Sequence, residues 1–555
     1  VDFVARVFVK AGRLNAAGAV AGLLTAAVAM GVAQVAAGLT VPASSPVLAV
    51  GQAAIDLTPQ AVKDFAISSF GAGDKTVLLG GILVVLALFA AAIGAAAVRR
   101  LSIGLWGLGV FACVGLAAVL SRPDADAEWV LPTLAGAAAG AFAMVRLIRL
   151  AVTLKPPPPW PEAQANQTEP REANGPAPAF TYLPNPDAPD PDAGPPRPRQ
   201  PERRRFLAAS GLAVATAAIG TVAGRELAER YNVAKARAAL RFPAPAVPAP
   251  LLPPAADLRI PGLSSFITTN ERFYRVDTTL LLPEVDPATW RLRIHGMVRR
   301  EVVVTFGELL KRPLIENYLT LTCVSDPVSG PYVGNARWLG ASLAALIRSA
   351  GPLAGADQLL CTSVDGFTCG TPLAVVLDGR DALLAVAMNG TALPIAHGFP
   401  ARMVVPGLYG YVSATKWVTD IEVTTFASAH AYWAVRGWAQ QAPVKTESRI
   451  DVPAAGGSVR AGRTPVAGVA WAQHKGIAAV EVRADGGPWR QARLAEVPGI
   501  DTWRQWVWDW DAAPGAHILE ARATDATGYT QTPVQVPTTP DGASGYPSVS
   551  VTVRR

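Results

Sequence analysis

Histidine is scarce in this chain: there are five in 555 residues, and none lies before His295. The apolar first half therefore offers no imidazole to ligate an intramembrane haem. Cysteine is scarcer still, with only Cys113, Cys323, Cys361 and Cys369. Their spacing makes neither a zinc site nor a CxxCH haem attachment, so no haem is expected in this chain. Charged residues are 16% of the total against 51% hydrophobic, too little charge for an ordinary soluble protein. The net charge of +7 is modest for this length. Its basic residues flank apolar runs, which signals membrane topology and speaks against a nucleic-acid partner.

What the chain has instead is long apolar sequence. Residues 16–39, 77–98, 101–120, 130–150 and 206–223 each approach the ~20 apolar residues that cross a bilayer. Lys10 and Arg13, then Arg99 and Arg100, then Arg146, Arg149 and Lys155, then Arg203, Arg204 and Arg205 all fall on one side if the N-terminus is cytoplasmic. Loops 40–76 and 121–129 carry few basic residues. Five spans then place residues 225–555 outside the cytoplasm, anchored in plasma-membrane lipid. Mid-span ionisable residues are almost absent, which argues against a transporter. Arg203-Arg204-Arg205-Phe206-Leu207 reads as a twin-arginine export signal or as a positive-inside flank, and both can hold.

The domain boundaries follow composition. Residues 1–155 form a four-span region and 206–224 the fifth span. Residues 156–205, opening on four prolines, cannot bury enough apolar surface to order themselves and read as a disordered cytoplasmic linker. Residues 225–256 read as an extracytoplasmic linker. Residues 257–428 mix strands (290–294, 301–304) with helices (306–310, 341–350). The second of these helices has Leu343, Leu346 and Ile347 on one face, and 336–340 is expected to open it. Residues 429–555 turn β-rich at 466–471, 478–483, 505–510 and 517–523, with a hairpin turn at Arg483-Ala484-Asp485-Gly486-Gly487. That pattern suggests an immunoglobulin-like sandwich.

The chemistry centres on Cys323. It ends the β-prone run Leu319-Thr320-Leu321-Thr322 and precedes Val324-Ser325-Asp326. A lone cysteine is most often a small buried hydrophobe, but a thiolate at the end of a rigid strand is also a good mount for a soft metal. Downstream come Ala336-Arg337-Trp338-Leu339-Gly340, Met388-Asn389-Gly390-Thr391, His397-Gly398-Phe399-Pro400-Ala401-Arg402, and Lys416-Trp417. Arginine offers a planar fork and lysine a point charge to a phosphate. Cys361 and Cys369 flank a turn, as a disulfide or as two free thiols.

This ordered set resembles the sulfite oxidase family of molybdenum enzymes, over roughly residues 261–555. The resemblance implies three parts: an N-terminal α-helical transmembrane region, an α+β molybdopterin domain, and a C-terminal all-β immunoglobulin-like sandwich of the dimerisation type, which leaves a homodimer open. It implies molybdenum held by molybdopterin, with Cys323 as metal ligand and catalytic residue. Cofactor contacts are implied at Asn270, Tyr274, Arg275, Val276, Asp277, Thr278, Asp365, His397, Arg402, Ser413, Ala414, Thr415 and Lys416. Val276 and Thr278 align with the family's substrate-facing Arg and His, and Phe367 with its active-site Tyr. The usual basic pair after the cysteine is replaced by Ser325-Asp326. A pocket built on Val276, Thr278 and Phe367 suits a sulfoxide or N-oxide better than sulfite. The branch that reduces protein methionine sulfoxide in the periplasm is the closer functional analogy. Electrons then pass to or from a separate haem- or quinone-linked protein. The alternative is a cofactor-bearing scaffold subunit of a membrane complex, without turnover.

Overall fold

The computed structural model describes residues 2–59, 62, 74–122, 125–153, 200–228 and 233–555. The 156–205 linker up to residue 199 lies outside the described residues, as does Lys155. The chain divides into two units, one holding most of residues 1–230 and the other residues 233–555.

The first unit is helical: α1 (Asp2–Leu39), α2 (Pro46–Leu57), α3 (Asp74–Ala97), α4 (Leu101–Leu120), α5 (Leu131–Thr153) and α6 (Gln200–Ala228). Among the described residues, five segments are long and apolar enough to cross a membrane: Asn15–Leu39, Lys75–Ala97, Leu101–Leu120, Ala127–Thr153 and Arg204–Leu227. They match the apolar runs of the sequence to within a few residues. Helix α2, with 12 residues, is about 18 Å long and too short to span. Helix α1 packs against α3, α5 and α6 through small residues. A Cβ on Gly22 would strike the carbonyl of Ala90, one on Gly94 would strike that of Gly18, and one on Gly220 would lie 2.7 Å from the Gly31 oxygen. Glycine lets such backbones approach where apolar side chains gain nothing over lipid.

The second unit opens on α7 (Ala234–Ala239). In chain order there follow β1 (Arg291–Gly296), β2 (Val302–Thr305), α8 (Phe306–Leu310), β3 (Leu314–Thr322), β4 (Val333–Ser342), α9 (Leu343–Ala350), β5 (Gln358–Ser363), β6 (Thr368–Pro372), α10 (Leu373–Leu377), β7 (Leu383–Met388), β8 (Thr391–Ala392), β9 (Arg402–Val404), α11 (Gly410–Ser413) and β10 (Val418–Thr424). One sheet runs β2-β1-β10-β5-β6 and a second β3-β4-β7-β8, with β9 on β7. Both sheets and α9 bury side chains in one core around Trp290, Leu292, Ile347, Leu384 and Met403. A second core, with Phe273, Leu321, Trp338 and Phe399, fills another side of the β3–β4–β7 sheet.

Residues 336–340 are strand, not the opening of a helix. They lie inside β4, which pairs with both β3 and β7. A central strand buried on both faces reads as a continuous apolar run, and periodicity alone does not separate it from a helix. The helix starts later, at Leu343, where the Ser342 hydroxyl accepts the Ala345 N–H at 3.2 Å.

Residues 233–256 run along the outside of this unit. Arg237 donates to the carbonyls of Leu393 (2.7 Å) and Ala392 (2.9 Å). Further on, Ala246 N–H donates to Leu314 O and Glu316 N–H to Val247 O, both at 2.8 Å. The strap thus pairs in parallel with the edge strand β3 and covers backbone groups that an edge leaves open.

The C-terminal part contains β11 (Glu447–Val452), β12 (Gly457–Arg460), β13 (Gly462–Trp471), β14 (Ile477–Ala484), β15 (Arg490–Gln491), β16 (Arg493–Leu494), β17 (Arg504–Ala512), β18 (Gly515–Asp525) and β19 (Ser548–Arg554). They form two sheets, β11-β13-β17-β16 and β12-β19-β18-β14-β15, that share one core including Val466, Val480, Trp506, Leu519 and Val551. In the connection from β14 to β15, Asp485 and Gly486 are both in left-handed conformation, φ 52° and 68°, and Gly487 N–H donates to Ala484 O at 2.9 Å, which makes a tight turn at the end of β14.

Candidate functional site

Cys323 follows directly on β3 and opens the loop to β4. Strand pairing holds up to Thr322 opposite Val333. Beyond it, the Cys323 N–H donates to Tyr332 O at 2.9 Å and the Cys323 carbonyl accepts the Asp326 N–H at 3.1 Å. The thiol is buried, and burial pushes it up to about 11. A thiol so placed ionises at neutral pH only beside a strong positive charge, such as a bound metal. The nearby Asp326 carboxyl is pushed up to about 6 by burial. Its Oδ1 accepts Tyr332 N–H at 2.8 Å, and its Oδ2 is buried without a hydrogen-bond partner.

Arg402 opens β9 and is 5% exposed. Its guanidinium donates only to carbonyls: Met403 O at 3.3 Å, His397 O at 3.2 Å and Ala414 O at 3.3 Å. It lies 5.1 Å from the centre of the Trp338 ring, and burial lowers it to about 10. Among the described ion pairs Arg402 has no carboxylate. A buried guanidinium on long, neutral bonds is a costly arrangement that an anion would relieve. The Tyr274 phenol lies close enough to Cys323 and Arg402 to feel both, and burial first, then Cys323, pushes it well above its ordinary value. It stays a neutral donor. The phenol oxygen is also 3.7 Å from where a Cβ on Gly410 would stand, as is Thr322 O, so Gly410 keeps this space open.

His397 ends a short 3-10 turn, and Gly398 follows at φ 105°. A Cβ at Gly398 would crowd Arg402 at 3.0 Å and Lys416 at 3.1 Å, so glycine is needed there for close approach as well as backbone. His397 Nε2 is 3.1 Å from Asn270 O. A carbonyl only accepts, so Nε2 carries the proton and Nδ1 is left as an acceptor. Burial first, then Arg402, lowers His397 to about 4. Between pH 6.5 and 4 the unfolded chain takes up a proton that the folded one refuses, so stability falls as the pH falls through that window. His397→Gln removes this ionisation. Its urea midpoint is expected to drop less between pH 7 and pH 4.5 than that of the wild type, the difference being at most about 1.4 kcal/mol per pH unit. Equal slopes would contradict the assignment.

Arg275, Asp277 and Lys416 come together as a separate cluster. Asp277 Oδ2 takes Arg275 Nε at 2.6 Å and Lys416 Nζ at 2.8 Å. Lys416 Nζ also donates to Ala396 O at 3.3 Å. Burial lowers Lys416 to about 8, against the pull of Asp277. Val276, between these partners, is 46% exposed; Thr278 is half-buried. Of residues 413–416, the Ser413 hydroxyl is turned inward onto Leu408 O and Tyr409 O. Ala414 offers its carbonyl to Arg402, and Thr415 offers its carbonyl to Met403 N–H. Asp365 shapes the β5–β6 turn, its carboxylate accepting Phe367 N–H at 3.2 Å. Val364 N–H donates to Trp417 O at 3.0 Å, which ties this turn to Lys416–Trp417. The Phe367 ring packs on Tyr432, with centroids 5.4 Å apart. Cys361 and Cys369 face each other across β5 and β6 as two free buried thiols.

Sequence reasoning gave no role to Asn389, which organises the early loop. Its amide donates to Thr268 O and Asn270 Oδ1, both at 2.9 Å, and its Oδ1 accepts Arg337 N–H at 3.0 Å. The signal was present in Asn389-Gly390, a left-handed turn pair with φ 51° and 80°. Asp326 and the Trp338 ring under Arg402 were also missed. The donor set of Cys323, Arg402, neutral His397 and Tyr274, with Asp326 Oδ2 near the cysteine lacking a hydrogen-bond partner, fits a metal carried by an anionic, polar organic cofactor.

Residues 279–433 match the oxidoreductase molybdopterin binding domain. Cys323, Asp365, His397, Arg402 and residues 413–416 fall inside the match; residues 270–278 lie just before it. The chain is 32% identical to sulfite oxidase of Gallus gallus over 291 residues, 44% of this chain and 62% of that one. It is 29% identical to mitochondrial sulfite oxidase of Homo sapiens over 41% of this chain and 50% of that one. It therefore spans only about half to three-fifths of the length of these relatives. Among solved structures, the sulfane dehydrogenase SoxCD of Paracoccus pantotrophus aligns over 48% of this chain and 74% of that chain, at 26% identity and a TM-score of 0.43.

Proposed function

Since the chain belongs to the sulfite oxidase family and carries its molybdopterin-binding oxidoreductase domain at residues 279–433, we propose that it is a membrane-anchored, extracytoplasmic enzyme transferring oxygen atoms to or from a small oxide. The observation that carries this reading is a buried thiol, Cys323, and a buried guanidinium, Arg402, both near enough to the Tyr274 phenol to act on it, the guanidinium having no carboxylate partner among the described ion pairs. Molybdenum held by molybdopterin would supply two-electron oxygen-atom transfer there. Cys323 would hold the metal from the end of a paired strand, which fixes its direction. Arg402 would hold the anionic part of the cofactor through its fork. His397, kept neutral, offers Nδ1 as an acceptor, and Tyr274 offers a neutral hydroxyl beside Cys323. Electrons would pass to or from a separate haem- or quinone-linked protein, which would be the donor when the substrate is a sulfoxide or N-oxide, and the C-terminal pair of sheets, read as immunoglobulin-like, would be free to pair two copies.

The same geometry bears on substrate. Arg275 and Lys416 both direct their charge at Asp277, and Val276 and Thr278 stand where the family's charged groups are expected. A sulfite dianion then lacks one or two charge-assisted hydrogen bonds, each worth about 1.5–3 kcal/mol. A neutral sulfoxide or N-oxide needs less. In steady-state assays with a dye as electron carrier, kcat/KM for sulfite is expected to fall at least about tenfold below that for the best sulfoxide or N-oxide. Efficient sulfite turnover, lost in Arg275→Gln, would mean that the early loop supplies the anion site after all.

For topology, residues 225–555 are expected to be open to protease added outside cells whose plasma membrane is sealed, and residues 156–199 protected. If twin-arginine export operates at residues 203–205, the paired substitution Arg203→Lys, Arg204→Lys strands the domain inside although charge is kept. Unchanged export would leave only the positive-inside role for these arginines.

A further inference from the structure

Nothing so far gives the C-terminal pair of sheets a part in the chemistry, yet it makes close polar contacts to the end of the strand that leads into Cys323. Gln473, 2% exposed, stands in the turn after β13. Its Nε2 donates to Thr322 Oγ1 at 2.8 Å and to Thr320 O at 3.2 Å. Thr320 and Thr322 are themselves buried, and Thr322 is the residue before Cys323. Thr320 is held twice more: its N–H donates to Asp501 O at 2.9 Å, and its hydroxyl accepts Trp503 N–H at 2.7 Å. On the far side of the cysteine loop, Arg449 of β11 donates to Gly330 O at 2.9 Å. Its other nitrogens are fixed by Asp451 Oδ1 (2.6 Å) and Ser264 Oγ (2.9 Å). The loop bearing Cys323 is thus gripped before and after the cysteine by residues of the other fold.

We propose that the C-terminal two-sheet domain positions the Cys323 sulfur, with Gln473 as the positioning residue acting through Thr322. Two observations separate this from packing. First, Gln473 Oε1 is buried without a hydrogen-bond partner. An apolar side chain of the same size would avoid that penalty, so the amide is poorly explained by stability; its donor group reaches only the two threonines. Second, the next residue, His474, is held at φ 65°, an uncommon conformation for a residue with a Cβ. The turn is closed by Lys475 and Gly476 N–H donating to Ala472 O at 3.0 and 2.8 Å. Such a conformation persists where the surrounding structure over-determines it, and this turn presents Gln473 to β3.

The proposal rests on the metal-ligand reading of Cys323, and its test reads the sulfur both with and without metal. Gln473→Leu, Thr322→Val and Thr322→Ser are made in the full chain, with Val480→Ala, a buried core position of β14, as a stability control. In the molybdenum-loaded protein, Gln473→Leu and Thr322→Val are expected to shift the thiolate-to-metal absorption and the metal's midpoint potential. They should lower kcat about 10- to 100-fold with KM little changed, the usual effect of losing a group that orients a ligand. Thr322→Ser, which keeps the hydroxyl, is expected to leave all three near wild type, and the combined Gln473→Leu, Thr322→Val variant to be no worse than either single one. In metal-free protein the same two variants change the rate at which iodoacetamide alkylates Cys323, followed by peptide mass; Val480→Ala lowers the melting temperature and changes neither. Wild-type protein that binds no molybdenum, but whose Cys323 alkylation still depends on Gln473, would remove the cofactor reading and leave the positioning intact. Spectra and alkylation rates unmoved in Gln473→Leu, or moved equally in Val480→Ala, would overturn the proposal.

Discussion

Cys323→Ser is expected to abolish turnover while leaving the fold in place. Serine is nearly isosteric with cysteine, and the backbone bonds that hold residue 323, from its N–H to Tyr332 O and from its carbonyl to Asp326 N–H, do not involve the side chain. The melting temperature should move by only a few degrees. The chemistry changes more, because a serine oxygen is a harder and poorer donor to a thiophilic metal than a thiolate. Losing a group that merely orients a ligand costs about 10- to 100-fold, so losing the ligand itself should cost more than about 100-fold in kcat. Purified Cys323→Ser protein with wild-type turnover would end the assignment.

Arg402→Met is expected to empty the site of cofactor. The guanidinium is buried, donates at 3.2–3.3 Å to three carbonyls and is lowered to about 10 by burial. Its charge is costly unless an anion is bound. Removing it takes away one or two charge-assisted bonds of about 1.5–3 kcal/mol each, which is roughly 10-fold or more in retention. The purified variant should hold less than about a tenth of the wild-type pterin. Arg402→Lys keeps the charge but not the two-pronged geometry and should be intermediate. Full pterin content in Arg402→Met would show that the anion is held elsewhere.

The sequence was most legible where one property decides structure. Apolar length located all five candidate spans, because crossing a bilayer demands it. It did not show that α1 is the common packing partner of α3, α5 and α6, since that depends on which glycines face each other. Alternating or β-rich runs between turn residues located strands in the 466–523 region; residues 517–523 alternate as a strand with one buried face does, whereas 466–471 are buried throughout. The same rule failed at residues 336–340, where β4 is buried on both faces and shows no alternation. The site residues gathered by motif order, Cys323, His397, Arg402 and Lys416, lie in one unit. Their division of labour was not legible. Arg275 and Lys416 look like free cations in the sequence, and only the fold brings Asp277 to both. Gln473 lies 150 residues beyond Cys323 in a different fold, and no local pattern marks it as a neighbour of Thr322.

The central claim is that Cys323 and Arg402 frame a molybdopterin site. The most direct measurement is molybdenum by mass spectrometry, together with pterin fluorescence after oxidative release, on the purified full-length protein and on Arg402→Met. The account predicts molybdenum and pterin in equal amounts, approaching one of each per chain, in the wild type, and a loss of both in Arg402→Met. Wild-type protein without molybdenum or pterin, prepared from cells that load other molybdenum enzymes, would contradict it.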